Sequence, residues 1–112
     1  MARKNVDAKK IAREYTKELR GSLHVDQAFL FGSYARGSVH EESDVDLLII
    51  SRDFVRMPFM RRLELLNRLR TGSALEVPMD IIGVTPSEFS SFRSHESGNL
   101  RGIYHERKRI YP

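Results

Sequence analysis

The chain has 112 residues, of which 40% are hydrophobic and 30% are charged. This length and balance favour one folded domain over residues 1–112 and exclude a disordered chain. Cysteine is absent and the net charge is +4. The absence of cysteine excludes a disulfide framework, a thiolate zinc site and a cysteine nucleophile. The positive net charge favours an anionic ligand such as a nucleotide, a nucleic acid or an acidic protein.

No apolar segment follows the basic N-terminal residues. The longest aliphatic run, Leu47 to Ile50, is too short to cross a bilayer. We therefore expect a soluble, cytoplasmic protein that makes no membrane contact.

Helices and strands are predicted to alternate along the chain. Apolar residues recur every three or four positions from about Val6 to Arg20, which predicts a first helix with a basic exposed face. Gln27 to Phe31 predicts a short strand, and Gly32-Ser33 ends it before a loop or a single helical turn. Val45 to Ile50 is the clearest strand in the sequence.

A helix with one apolar face follows the second strand. Pro58 suits its first turn and Thr71-Gly72 ends it. The apolar face is formed by Phe59, Leu63, Leu66 and Leu69, and the face that we expect to be exposed carries Arg61, Arg62 and Arg68.

A third strand is expected from about Val77 to Val84. Thr85, Pro86 and Glu88 then form the pattern of a capping box with proline at the first helical position, which predicts another helix start. Beyond Ser94 the pattern weakens. A helical segment around Leu100 to His105 and a short final strand at Arg109 to Tyr111 are expected there.

Two carboxylates stand close together at the start of the second strand. Side chains alternate along a strand, so Asp44 and Asp46 project to one side. Because like charges so close repel and their desolvation adds a cost, the pair calls for a cation. Mg²⁺ takes oxygen ligands from one or two carboxylates and completes its shell with phosphate oxygens and water. The pair is therefore typical of a nucleotide site.

Asp80 interrupts an otherwise apolar strand, where an unpartnered carboxylate is unusual. If that strand runs beside the second one, Asp80 faces the same cleft and provides a third metal ligand. Two ions roughly 3.5 to 4 Å apart would then activate the attacking oxygen and stabilise the leaving pyrophosphate. The alternative for Asp80 is a buried carboxylate paired with an arginine.

The turn after the first strand is suited to phosphate. Gly32 permits a sharp turn and a close approach of the backbone, and the Ser33 hydroxyl and nearby N–H groups can bind phosphate oxygens. Arg36 offers a fixed charge for the same phosphates or for an acidic acceptor. Gly-Ser alone is usually a turn and Asp-x-Asp alone a solvated strand start. Their joint occurrence with Asp80 favours a functional site.

The run from Gly32-Ser33 through Tyr34-Ala35-Arg36-Gly37 to Ser43-Asp44-Val45-Asp46 resembles the signature of the DNA polymerase β-like nucleotidyltransferase superfamily. In that signature Gly-Ser and Asp-x-Asp are ten residues apart, as they are here. The short length and the Ala-Arg-Gly extension resemble its minimal nucleotidyltransferase branch. The resemblance covers about Val6 to Ser94.

This resemblance implies an α/β (α+β) fold, a mixed sheet packed against helices as in the polymerase β-like palm. It implies that Gly32 and Ser33 bind the triphosphate, that Asp44 and Asp46 share the Mg²⁺ ions, and that Asp80 is the third ligand and the proton acceptor. Minimal members are often paired with a small helical HEPN protein as the antitoxin of a toxin–antitoxin couple. Some of these antitoxins AMPylate a tyrosine of the toxin.

Three hypotheses about function follow. The first is an enzyme that transfers AMP from ATP, or another nucleoside monophosphate from its triphosphate, to a hydroxyl of a partner protein. The second is a non-catalytic antitoxin that neutralises its partner by binding alone. The third is a nucleic-acid-binding module, which only the basic charge supports. The cluster of carboxylates favours the first, because a pure binding module does not need it.

Overall fold

The computed structural model describes residues 7–37, 39, 44–94 and 98–112. Val6 and Ser43, which belong to the predicted first helix and to the motif, lie outside these residues. The helices and strands are α1 (Ala8–Leu19), β1 (Gln27–Phe31), α2 (Gly32–Arg36), β2 (Val45–Ile50), α3 (Phe59–Arg68), β3 (Met79–Val84), α4 (Pro86–Phe92), α5 (Gly98–Glu106) and β4 (Lys108–Tyr111). Two 3-10 turns that the sequence did not predict, Arg52–Phe54 and Gly72–Leu75, flank α3.

The strands form one mixed sheet in the order β3-β2-β1-β4. Strand β1 is antiparallel to both β2 and β4, whereas β2 and β3 are parallel. This mixed sheet with helices on it confirms the predicted α+β fold class. Within the described ranges, no helix is long and apolar enough to span a membrane.

Helices cover both faces of the sheet. On the first face, which we call the α1/α3 face, Leu47 and Ile49 pack in one cluster with Leu19 and Leu66. On the second, the α4/α5 face, Leu48 and Ile50 pack in a separate cluster with Phe92. Strand β2 is buried on both sides, which explains why most of its residues are aliphatic instead of alternating between apolar and polar.

Side chains cap two helices where they begin. The Asp7 carboxylate accepts a hydrogen bond from the Lys10 N–H at 3.1 Å at the start of α1. At the start of α4, the Thr85 N–H donates to Glu88 Oε1 at 2.8 Å and the Glu88 N–H donates to Thr85 Oγ1 at 3.1 Å. The predicted capping box is therefore confirmed.

Arg62 does not lie on the exposed face of α3 where the helical pattern had placed it. Its side chain is buried and donates to the carbonyl oxygens of Met57, Phe54 and Gly83 at 2.9, 3.0 and 3.2 Å. It also donates to Glu88 Oε1 at 2.6 Å. The prediction was wrong because the preceding turn and the β3 edge present carbonyl groups that need donors, and a guanidinium can satisfy several at once.

We predict that Arg62→Met lowers the free energy of unfolding by about 3 kcal/mol, since it leaves these buried carbonyls without a donor. Arg68→Met is the matched control, because Arg68 is exposed on the same helix and such surface changes cost less than about 0.5 kcal/mol. Urea unfolding of the three proteins measures the difference. Equal midpoints for both variants would show that Arg62 does not stabilise the fold.

Candidate active site

The carboxylates of Asp46 and Asp80 are neighbours across two parallel strands. Asp46 in β2 is the register partner of Asp80 in β3, and such partners are about 4.8 Å apart across a sheet. Leu48 and Ile82, two residues further along each strand, belong to the α4/α5 cluster. Because side chains alternate along a strand, both carboxylates also face the α4/α5 side. The two strands are therefore adjacent, which is the condition for Asp80 to lie beside Asp46.

The pKa of Asp46 reflects burial and the negative charges close to it. Burial raises the pKa of this half-buried carboxyl to about 6, with further contributions from the negative charges of Asp80 and Asp44, while Arg36 acts in the opposite direction. Asp44 and Asp80 are both exposed. Asp44 and Asp80 are therefore both close enough to Asp46 for their charges to act on its carboxyl.

The alternative reading of Asp80, as a buried carboxylate paired with an arginine, is wrong. Asp80 is exposed. Within the part of the chain that the structure describes, no arginine lies within 4 Å of it. An ion pair with an arginine therefore does not explain why an aspartate occurs in this apolar strand.

Gly32 lies directly against the Asp46 carboxylate. It follows Phe31, the β1 partner of Asp46, and starts α2 with a φ of +69°. A Cβ atom at this position would collide with Asp46 Oδ2 and approach its Cγ to 3.1 Å. Both the left-handed backbone and the close contact therefore require glycine here.

Helix α2 begins at the carboxylates and has no side-chain cap among the described residues. The backbone N–H groups of its first turn, which includes half-buried Ser33, can therefore donate hydrogen bonds to an acceptor other than a capping side chain. The predicted loop or single turn is thus a short helix that ends at Gly37, where φ is +78°. Gly32 thus lies against Asp46, and Ser33 follows it in the first turn of α2.

Arg36 is hydrogen-bonded within the protein. Its Nη1 donates to Glu106 Oε1 in α5 at 3.1 Å, and about half of its side chain is exposed. Its charge also reaches Asp46 and offsets part of the rise in the pKa of that carboxyl. Glu106 was not singled out from the sequence, since it is 70 residues from Arg36 and no local pattern connects them.

The chemistry of the donor set fits a divalent cation, although the described residues contain no ready-made group of three acidic or histidine ligands. Two exposed carboxylates flank one whose pKa is raised. A hard cation relieves such repulsion and can take its remaining ligands from phosphate oxygens and water. The arrangement suits a metal that arrives with a nucleotide better than one held permanently.

Comparison with known proteins agrees with this geometry. The chain matches the nucleotidyltransferase domain family over residues 9–110. A protein of Methanocaldococcus jannaschii, provisionally named a protein adenylyltransferase, is 36% identical over 73 residues, which span 65% of this chain and 73% of that protein. The protein adenylyltransferase MntA of Thermococcus cleftensis is 37% identical over 70 residues, or 62% of this chain and 68% of MntA.

The fold is also similar to a crystal structure described as a toxin–antitoxin with AMP-PNP. The TM-score is 0.61 at 25% identity, and the match covers 95% of this chain and 73% of that one. The family match extends beyond Ser94, so it includes α5 and the start of β4, which the sequence resemblance had left out. With a family match over nearly its whole length, this chain belongs to the nucleotidyltransferase domain family and is a nucleotidyltransferase.

Proposed function

We propose that this nucleotidyltransferase is a protein adenylyltransferase, which transfers AMP from ATP to a hydroxyl group of a partner protein. The observation that carries the proposal is the pair of carboxylates held in register on β2 and β3, with Gly32 against one of them. The names of the relatives and the AMP-PNP of the structural neighbour support ATP as the donor.

Asp44, Asp46 and Asp80 are the proposed ligands of two Mg²⁺ ions. The raised pKa of Asp46 supports this assignment, because the cluster repels itself in the absence of a cation. When bound, Mg²⁺ supplies positive charge that neutralises the triphosphate and the leaving pyrophosphate. ATP, when bound, brings its own phosphate oxygens to complete the metal shell.

The other residues have distinct roles in the proposed transfer. Gly32 lets the triphosphate approach the backbone, and the Ser33 hydroxyl donates a hydrogen bond to it. Asp80 accepts the proton of the attacking hydroxyl, whose oxygen bonds to the α-phosphorus while the bond to pyrophosphate breaks. Arg36 contacts the phosphates by exchanging the Glu106 carboxylate for a phosphate oxygen.

The acceptor in this proposal is a small helical HEPN-type toxin, and the chain is its antitoxin in the cytoplasm. The likeness to a toxin–antitoxin structure supports a protein partner, and the net charge of +4 suits an acidic contact surface. Neutralisation by binding alone does not account for the repelling carboxylates, which destabilise a protein that does not use them.

The test of this function separates the roles of the carboxylates. We expect ATP to bind in Mg²⁺ and not in EDTA, and Asp44→Asn and Asp46→Asn to lose both Mg·ATP binding and transfer. Asp80→Asn should keep most of the binding but lose transfer by about 10²- to 10⁴-fold. Calorimetry and single-turnover transfer of labelled AMP to the product of the adjacent gene measure the two properties.

Glu64→Gln, which neutralises an exposed acid on α3, is the control and should behave as the parent chain does. Transfer by Asp80→Asn at the parent rate would refute its role as proton acceptor. Equal ATP affinity with and without Mg²⁺ would refute the metal site.

We also predict that Asp46→Asn stabilises the metal-free protein at neutral and alkaline pH. Because the folded-state pKa of Asp46 is raised from 3.8 to about 6, the folded chain holds this proton more tightly than the unfolded chain does. The stabilisation that comes from protonation of Asp46 in the folded chain is therefore complete below pH 3.8 and is lost as the pH rises through about 6. Thermal unfolding across this range should show the parent losing stability relative to Asp46→Asn. A constant difference at all pH values would contradict the prediction.

Two glycines with left-handed backbones provide a matched pair of substitutions. Gly32 and Gly37 have φ values of +69° and +78°, but only at Gly32 does an added Cβ meet a neighbour, the Asp46 carboxylate. Both alanine variants should lose about 1 kcal/mol of stability from backbone strain. Only Gly32→Ala should also weaken Mg·ATP binding, as measured by calorimetry. Similar losses of affinity in both variants would mean that the contact with Asp46 is unimportant.

A further inference from the structure

An apolar groove runs along the outer edge of the sheet, between the start of α3 and the helices α4 and α5. It has a volume of about 520 Å³, and its apolar lining includes Met57, Phe59, Ile82, Val84, Phe92 and Leu100. Neither the candidate carboxylates nor Gly32 line it. The groove is therefore a separate feature from the site described above.

Exposed apolar side chains lie in the lining of this groove or within two residues of it in the chain. Phe59, at the first position of α3, is 49% exposed, and its neighbour Met60 is 66% exposed. Val55, a few residues earlier, is 64% exposed. Exposed apolar side chains of this size at a groove favour an interaction site, because burying them against a partner lowers the free energy.

The groove and the carboxylates share one face of the sheet. Ile82 and Val84 follow Asp80 in β3 by two and four residues, so all three side chains point to the α4/α5 side. At about 3.3 Å per residue, they lie roughly 7 and 13 Å from Asp80 along the strand. A ligand in the groove therefore sits beside the carboxylates without covering them.

The charges around the groove are mainly positive. Four exposed arginines each adjoin a lining residue in the chain, namely Arg56, Arg61, Arg93 and Arg101. In the described ranges, none of them has a carboxylate within 4 Å. Glu88, which lines the groove, is bound by Arg62. A segment with apolar side chains flanked by aspartate or glutamate would complement this surface.

We propose that this groove is the docking site for the acceptor protein. An acidic, amphipathic segment of that protein places its apolar side chains in the groove and its carboxylates on the surrounding arginines. Docking there holds the acceptor hydroxyl near Asp80, which raises its local concentration at the carboxylates. This inference rests on the proposed function, since it presumes a protein acceptor.

The test compares two pairs of variants. Phe59→Asp changes the groove, and Leu75→Asp changes an apolar side chain that is 64% exposed but lies outside it. Arg61→Glu reverses a charge beside the groove, and Arg68→Glu reverses one at the other end of α3. Aspartate in the first turn of a helix is favourable, so Phe59→Asp should fold.

The probe is the product of the adjacent gene. We expect Phe59→Asp and Arg61→Glu to bind it about tenfold to thirtyfold more weakly than the parent chain does. The KM for this protein should rise by a similar factor, while kcat and the affinity for Mg·ATP stay unchanged. Leu75→Asp and Arg68→Glu should match the parent in every measurement.

Failure of this inference has a different signature from failure of the proposed function. If the parent binds and modifies the probe, and the groove and control variants do so equally well, the groove is not the docking site. If Phe59→Asp instead converts a dimer of the parent into a monomer without weakening binding of the probe, the occupant is a second copy of the chain. If the parent neither binds nor modifies the probe, the proposed acceptor is wrong and this inference falls with it.

Discussion

The parallel pairing of β2 with β3 is the constraint on which the site depends. It places Asp46 beside Asp80 on a half-buried face, where their charges repel and the pKa of Asp46 rises. A shift of one residue in this register would turn either carboxylate to the opposite face. The shift is prevented because β2 is buried on both faces, so each of its aliphatic side chains has a fixed place in the core. The core thus holds together a cluster that electrostatics alone would separate.

The two ends of β3 present different chemistry on the same face. Asp80 near its start pairs with Asp46 at the candidate active site, whereas Ile82 and Val84 near its end lie in the apolar groove. Arg62 fixes the groove end of the strand, because it joins the Gly83 carbonyl to Glu88 at the start of α4. One strand therefore positions both the carboxylates and the apolar groove, a few residues apart.

Local patterns predicted the elements well where a few adjacent residues determine the structure. The bounds of β1 and β2 agree with the prediction, and the capping box at Thr85 has the expected hydrogen bonds. The alternation of side chains was enough to group Asp44 with Asp46. Placing Asp80 with them required the assumption that β2 and β3 are adjacent. The burial of Arg62 could not be predicted, because its partners include a carbonyl 21 residues away that only the folded chain brings near.

The C-terminal helix shows why weak sequence patterns can belong to important elements. Helix α5 has few of the sequence features that predict a helix, because contacts with distant parts of the chain hold it in place. For example, Tyr104 packs on Phe89 of α4 with ring centroids 5.5 Å apart. Its last residue, Glu106, holds Arg36 of α2, and Leu100 near its start lines the groove. Because α5 contacts Arg36 of α2 and also lines the groove, its packing against α4 holds α2 and the groove at a fixed separation. The geometry of the proposed transfer thus depends on a helix that contributes none of the candidate carboxylates.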